Sequence, residues 1–326
     1  MRFACFTHVP WPEGTDLRQI MAETTAQVQY AEELGFHGAW LAEHHFTRYS
    51  MVSAALILAT HIAAHTSKIR VGTAVLVSPL HNPIQLAEET AMVDLLSGGR
   101  LDVGFGRGTT GYEYTGYNAD PAESQERFQD SVNIVQGLWT TPDFSYTSRY
   151  NKVHRLNLVP PPVQQPHPPI YIAATRTPTT LQFAVNSGHN LCIAVVQDTA
   201  DALALCQRFV ALCRAAGSNR SMADIPFFRY IYVAETAAQA RQDTESRLNW
   251  VADIMQWRRF IHEGSEVYRK MDDWRQSRTE LPTSYDALAQ QRAIIGTPEQ
   301  CVAQIQALRA HGIEYFGCNF DSGGLE

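Results

Sequence analysis

Short runs of β-branched and aromatic residues alternate along the chain with longer stretches whose apolar positions recur every three to four residues. These are the periods of strand and helix. Residues 2–9 read as a first strand. Asp16 then caps a helix that aligns Leu17, Ile20, Thr24, Val28 and Ala31 on one face and stops at Gly35. The alternation continues with strands at 38–42, 69–77 and 101–106 and helices at about 51–65, 83–96 and 122–139. After an interruption it resumes with strands at 170–174, 191–196 and 227–234, followed by helices at about 179–187, 200–216 and 237–262. Thr297-Pro298-Glu299-Gln300 combines a capping box with proline at the first helical position. It opens a helix ending at Gly312, and residues 315–320 form the last strand.

Eight strands alternating with helices predict an α/β fold, a (β/α)8 TIM barrel that takes residues 1–326 as a single domain. A doubly wound open sheet is the rival, and the count of eight favours closure. Two insertions break the rhythm. Residues 141–169 carry seven prolines and a short hairpin around 144–154. Residues 264–295 are charged and aromatic without a clean period, the character of a lid loop. The chain stops six residues after the last strand, so the final C-terminal helix of a complete barrel is expected to be missing.

Composition narrows the function classes. With 326 residues, 45% of them hydrophobic, a large core is affordable. The formal charge of −7 argues against nucleic acid or an anionic membrane as the main partner. The longest apolar stretch, residues 51–64, contains Thr60 and His61 and is too short to span a bilayer. The first residues are strand-like and do not form a signal peptide. Six cysteines form no CxxC pair, and Cys206 and Cys213 lie seven apart on one helix. Reduced thiols in a cytoplasmic protein, with no structural metal, are expected.

The candidate chemistry sits at strand ends. The second strand runs into Glu43-His44-His45, a carboxylate and two imidazoles after an apolar run. Parallel barrels carry their active sites at the C-terminal ends of their strands, and histidine moves protons near neutral pH. Neighbours on a strand face opposite ways, so His44 is expected to work and His45 to support it. Two other strand ends suit an anion. Gly106-Arg107-Gly108 offers a guanidinium on a bare backbone, and Thr175-Arg176-Thr177-Pro178-Thr179-Thr180 opens a helix with hydroxyls and free N–H groups. Helix capping and surface ion pairs would explain each of these equally well when taken singly. His61 and His65 share a helix face without a third metal ligand, and Phe6, Phe46, Tyr112, Tyr114 and Trp274 are candidate pocket aromatics.

Several of these segments together resemble the bacterial luciferase-like family of flavin-dependent monooxygenases. The resemblance rests on residues 40–47, on Gly72-Thr73-Ala74-Val75 with Pro79-Leu80-His81-Asn82-Pro83, and on Leu95-Leu96-Ser97-Gly98-Gly99-Arg100-Leu101. It continues through Gly106-Arg107-Gly108, residues 161–171, and Gly296-Thr297-Pro298-Glu299-Gln300-Cys301. It implies a barrel using reduced FMN (FMNH2) with O2 as co-substrate. His44 is then the catalytic histidine, with Glu43 and His45 beside it. Arg107 and Gly106 bind flavin, Thr175, Arg176, Thr179 and Thr180 complete the phosphate site, and Ala74-Val75 forms a cis peptide under the ring. Gly106 stands where luciferase itself has a reactive cysteine, which speaks against light emission.

The expected function is therefore a monooxygenase that works through a C4a-(hydro)peroxyflavin. It would oxygenate a small organic substrate by aldehyde or ketone oxidation or by hydroxylation. The chain has no room for a pyridine-nucleotide module, so a separate NAD(P)H:flavin reductase would supply the reduced flavin. The resemblance further implies a homodimer through the second and third helices. Two rivals remain: hydride transfer with the deazaflavin F420, whose enzymes share the barrel, and a non-catalytic flavin-binding partner subunit.

Overall fold

The computed structural model describes residues 1–175, 177–258, 275–276 and 283–321. Twelve strands occur among them: β1 (Arg2–Thr7), β2 (Gly38–Leu41), β3 (Arg70–Thr73), β4 (Leu76–Val77), β5 (Leu101–Gly106), β6 (Phe144–Thr147), β7 (Lys152–Leu156), β8 (Ile170–Ala173), β9 (Asn190–Cys192), β10 (Phe227–Val233), β11 (Ala293–Gly296) and β12 (Tyr315–Asn319). The helices are α1 (Leu17–Glu33), α2 (Ala55–His65), α3 (Pro83–Leu96), α4 (Gly111–Gly116), α5 (Ser124–Thr140), α6 (Pro178–Asn186), α7 (Thr199–Ala215), α8 (Ala237–Trp257), α9 (Tyr285–Arg292) and α10 (Pro298–Ala310).

All the long strands pair in parallel, in the order β1, β2, β3, β5, β8, β9 on one side of β1 and β12, β10 on the other. A parallel bridge from Ile193 to Phe227 joins β9 to β10 and completes the ring. The circuit follows chain order, as right-handed βαβ crossovers require. Period-two alternation sorts the side chains. Ala4, Phe6, Trp40, Ala42, Tyr171, Phe228 and Tyr315 belong to the barrel interior, whereas Cys5, Ala39, Leu41, Val71, Val103 and Phe316 pack outward with the helices. Large interior rings stand opposite glycines. A Cβ on Gly72 would meet Trp40, and one on Gly317 would meet Phe228. Trp40 also donates from Nε1 to the Tyr315 hydroxyl at 2.9 Å, so the polar edge of each ring is satisfied.

Local signals explain several boundaries. Asp16 accepts from the Arg18 and Gln19 amides at the start of α1. Thr297 and Gln300 form the expected capping box at α10. Arg100, in the Leu-Ser-Gly-Gly-Arg segment, donates to the carbonyls of Ala63, Thr66, Ile69 and Ser97. It thereby satisfies the open C-terminal end of α2 and ties it to β3.

Four expectations change. The third strand does not run unbroken through 69–77. It splits into β3 and β4 around a cis Ala74–Val75 peptide. Residues 285–296, assigned to an insertion, contain α9 and β11, and β11 extends the pairing of β10 through Tyr230–Val233. Helix α4 falls in a glycine-rich stretch that carried no helical signal. The sixth strand ends at Cys192 rather than 196. The hairpin in the first insertion forms as β6–β7. The rest of the 264–295 insertion, including Trp274, lies outside the described residues apart from 275–276 and 283–284. So does everything after Asp321, where the expectation of a missing final helix falls. No described helix is long and apolar enough to cross a membrane.

Candidate active site

A cavity of about 780 Å³ opens at the C-terminal ends of the strands. This is the mouth where barrel chemistry is placed. Its wall takes Ala42, Glu43 and His44 after β2, Ala74 and Val75 between β3 and β4, and Gly106 to Glu113 after β5. Ala173 to Thr175 follow β8, Ile193 to Val196 follow β9, and Arg258 follows α8.

Backbone packing shapes one side. Thr73 Oγ1 donates to the Gly104 carbonyl at 3.0 Å and accepts from its amide at 2.9 Å, locking β3 to β5 just before the cis peptide. A Cβ on Gly104 would collide with the Thr73 carbonyl, and one on Gly106 with Val75 Cγ2. Gly108 has φ +72°, which favours glycine, and a Cβ there would lie 2.6 Å from Val77 Cγ1. Val75 and Val77 thus fill the places that side chains at Gly106 and Gly108 would take, and Ala74 and Val75 form this side of the cavity wall.

Next to it is a cationic cradle. The Arg107 main chain is held by the Tyr114 hydroxyl, which donates to its carbonyl. The guanidinium makes no ion pair with a carboxylate among the described residues and lines the cavity with Thr175, Thr177 and Thr180. Thr177 caps α6 without a side-chain hydrogen bond, and Pro178 supplies no N–H. The amides of Thr179 and Thr180 therefore open the helix without a side-chain partner, the arrangement that binds anions. Thr180 Oγ1 donates to Gln125 Oε1 at 3.0 Å, leaving Gln125 Nε2 buried and without a partner. The Thr179 side chain is exposed and does not line the cavity, and Arg176 lies outside the described residues.

The two histidines meet different surroundings. His45 is buried, with Nε2 donating to Glu43 Oε1 at 3.0 Å and Nδ1 accepting from the Tyr117 hydroxyl at 3.1 Å. Both nitrogens are used, so His45 is a structural brace. Glu43 Oε1 also accepts from His81 Nε2 at 2.8 Å. Burial pushes the Glu43 carboxyl up, but the bonds from His45 and His81 outweigh it and hold it below the usual range. His44 faces the cavity. Its Nδ1 lies 3.1 Å from Glu113 Oε1 and 3.1 Å from Arg258 Nη2, and Nε2 makes no hydrogen bond to a described residue. Burial first, then the Arg258 charge, lower its pKa against the pull of Glu113. The neutral ring is thereby favoured.

Glu113 and Arg258 escaped the strand-end survey. Glu113 rides on the unforeseen α4. Arg258 follows α8 and reaches back over the mouth, donating to the Tyr112 hydroxyl at 2.8 Å and Thr110 Oγ1 at 3.2 Å. Its guanidinium lies 4.2 Å from the Tyr49 ring centroid. Of the candidate aromatics, Phe6 and Tyr112 line the cavity, Tyr114 packs beneath Gly108, and Phe46 is exposed beside Tyr117. His61 bonds Thr25 instead of a metal-ligand set, and all six cysteines are buried and free.

A parallel α/β barrel thus brings a histidine and an anion cradle into one cavity at the C-terminal ends of its strands. The chain belongs to the luciferase-like monooxygenase family, whose model matches residues 1–315. It is 26% identical over 330 residues to the oxygenase component of a flavin-dependent trigonelline monooxygenase from Acinetobacter baylyi, covering 99% of this chain and 90% of that one. The crystal structure of the monooxygenase RslO1 from Streptomyces bottropensis superposes with a TM-score of 0.83 at 26% identity, over 100% of this chain and 94% of that one. The FMN complex of the oxygenating constituent of 3,6-diketocamphane monooxygenase from Pseudomonas putida shares the fold. Its TM-score is 0.80 at 16% identity, with coverage of 98% and 92%.

Proposed function

We propose that this chain is the oxygenase component of a two-component monooxygenase that takes reduced FMN and O2 and oxygenates a small organic substrate. The observation that carries the reading is the joint occupancy of one cavity by an anion cradle and a neutral imidazole. The cavity fits the cofactor. An arginine without a carboxylate partner among the described residues and an uncapped helix start suit a phosphate, and the apolar wall of Ala74 and Val75 suits a flat ring.

Arg107, Thr175, Thr177 and the α6 amides would hold the phosphate, with Arg176 and Thr179 as further candidates. Ala74, Val75 and Gly106 would contact the ring. Bound reduced FMN supplies the electrons that activate O2. Phe6, Val195, Phe228 and Met255 make the wall apolar and exclude water, which protects reactive species from hydrolysis and leakage. His44 takes or gives a proton at Nε2, Glu43 orders the strand end through His45, and the neutral form of His44 is available near pH 7. A separate NAD(P)H:flavin reductase would supply the reduced flavin, a reading supported by the A. baylyi relative, itself an oxygenase component.

The test is anaerobic loading with photoreduced FMN, followed by rapid mixing with aerated buffer. Oxidised flavin should reappear far more slowly than from free reduced FMN. His44→Ala should bind reduced FMN like the wild type but lose most substrate turnover. Return at the free-flavin rate would sink the reading. Tight binding of F420 with no oxygen reaction would move hydride transfer ahead.

A further inference from the structure

We propose that Glu113 and Arg258 compete for Nδ1 of His44, and that the winner decides whether Nε2 meets the cavity as a proton acceptor or a proton donor. The role given to His44 rests on the proposed function, but the competition itself is a property of the chain alone.

The geometry allows only one bond at a time. Nδ1 lies 3.1 Å from Glu113 Oε1 and 3.1 Å from Arg258 Nη2. A carboxylate needs a proton on Nδ1, and a guanidinium needs a lone pair there. With the proton on Nδ1, His44 donates to Glu113 and Nε2 presents a lone pair. With the proton on Nε2, Nδ1 accepts from Arg258 and Nε2–H points outward as a donor. Both neutral forms carry the same charge, so the exchange needs no net proton uptake.

Both rivals are held in place by other bonds. Glu113 Oε1 accepts from the His45 amide at 3.2 Å and has its side chain almost fully buried. Arg258 is anchored by Tyr112 and Thr110, and its Nη2 lies 3.5 Å from Glu113 Oε1. The two charges thus neutralise each other whichever of them bonds His44. A loose arginine would simply leave for solvent. This one stays within reach of both acceptors, which makes it a positioning residue.

The other titratable groups around His44 are few. Tyr49 lies edge-on with ring centroids 5.0 Å apart. Glu43 precedes His44 on the same strand end and is committed to His45 and His81. His8 stacks on the far side of Tyr49 and is kept neutral by burial. None of these approaches Nδ1 within hydrogen-bond distance among the described contacts.

Diethylpyrocarbonate modifies neutral imidazole and needs neither flavin nor substrate. The rate of His44 modification in the full-length protein, followed by peptide mass mapping across pH, gives its titration midpoint. Arg258→Met should move that midpoint up by about one unit and Glu113→Gln should move it down by about one unit, the scale of one nearby charge. Opposite signs show that both charges act on the ring. Shifts of the same sign, or none, would overturn the proposal. The tautomer itself is read from 15N NMR shifts of the His44 ring nitrogens, assigned with His44→Gln. Arg258→Met should favour the Nδ1–H form and Glu113→Gln the Nε2–H form, and an unchanged tautomer in both variants would overturn the proposal. If Arg258→Met does not fold, Glu113→Gln against Glu113→Asp carries the test. A downward shift for Gln with little for Asp supports the competition, and equal shifts defeat it. Failure of flavin binding, seen separately, would strike the proposed function and leave this titration unaffected.

Discussion

His8 follows β1 as an imidazole that its surroundings keep uncharged. It is fully buried, stacked on Tyr49 at 4.5 Å, and its Nδ1 meets Asn319 Nδ2 at 3.2 Å while Nε2 has no partner. Burial, with the His44 and Arg258 charges behind it, lowers its pKa to about 3. In the unfolded chain a histidine titrates near 6.5. Between those values the unfolded state binds a proton that the folded state refuses, so His8 costs stability as pH falls below about 6.5. His8→Gln removes that dependence. In urea unfolding, the stability of the wild type relative to this variant should fall by about 2 kcal/mol from pH 7 to pH 5. A difference that stays constant with pH would mean that His8 titrates in the fold as it does in the unfolded chain.

At the scale of elements, the junction of β3, β4 and β5 matters most. Val75, between β3 and β4, lies across the place where a side chain on Gly106 would stand. Gly106 therefore has a local steric partner in Val75. Gly106→Ala should destabilise by about 1–3 kcal/mol, as overpacking does. Val75→Ala in the same chain should recover much of that loss. A double-mutant cycle with a coupling energy near zero would remove the collision as the reason for the glycine.

At the scale of the whole molecule, α2 and α3 carry apolar side chains on an outer face. Ile57, Met92 and Leu96 are exposed and border a groove of about 520 Å³ with Thr60, Gln85, Glu88 and Glu89. Patches of this kind mark interfaces. The homodimer implied by family resemblance would cover them. Light scattering should give twice the chain mass, and Ile57→Glu with Met92→Glu should halve it. A wild-type monomer at micromolar concentration would end the dimer reading.

The sequence by itself determined the periodic skeleton. Alternation of apolar runs with helical stripes, punctuated by Asp16, the Thr297 box and the prolines, is local chemistry, and the elements it predicts form, with the third strand split in two and the sixth shortened. It also offered candidates for the site, because His44, Arg107 and the turn at 175–180 follow strand-like runs. Only the tertiary structure decided what surrounds them. Closure of β9 onto β10 through Ile193 and Phe227 is a contact between residues far apart in sequence. Glu113 lies on a six-residue helix that begins and ends in glycine, too short to show a period, and Arg258 is 214 positions from His44. Neither spacing nor composition links such residues. The barrel brings them together because a closed ring delivers every strand end, and every segment that crosses its mouth, to one small space.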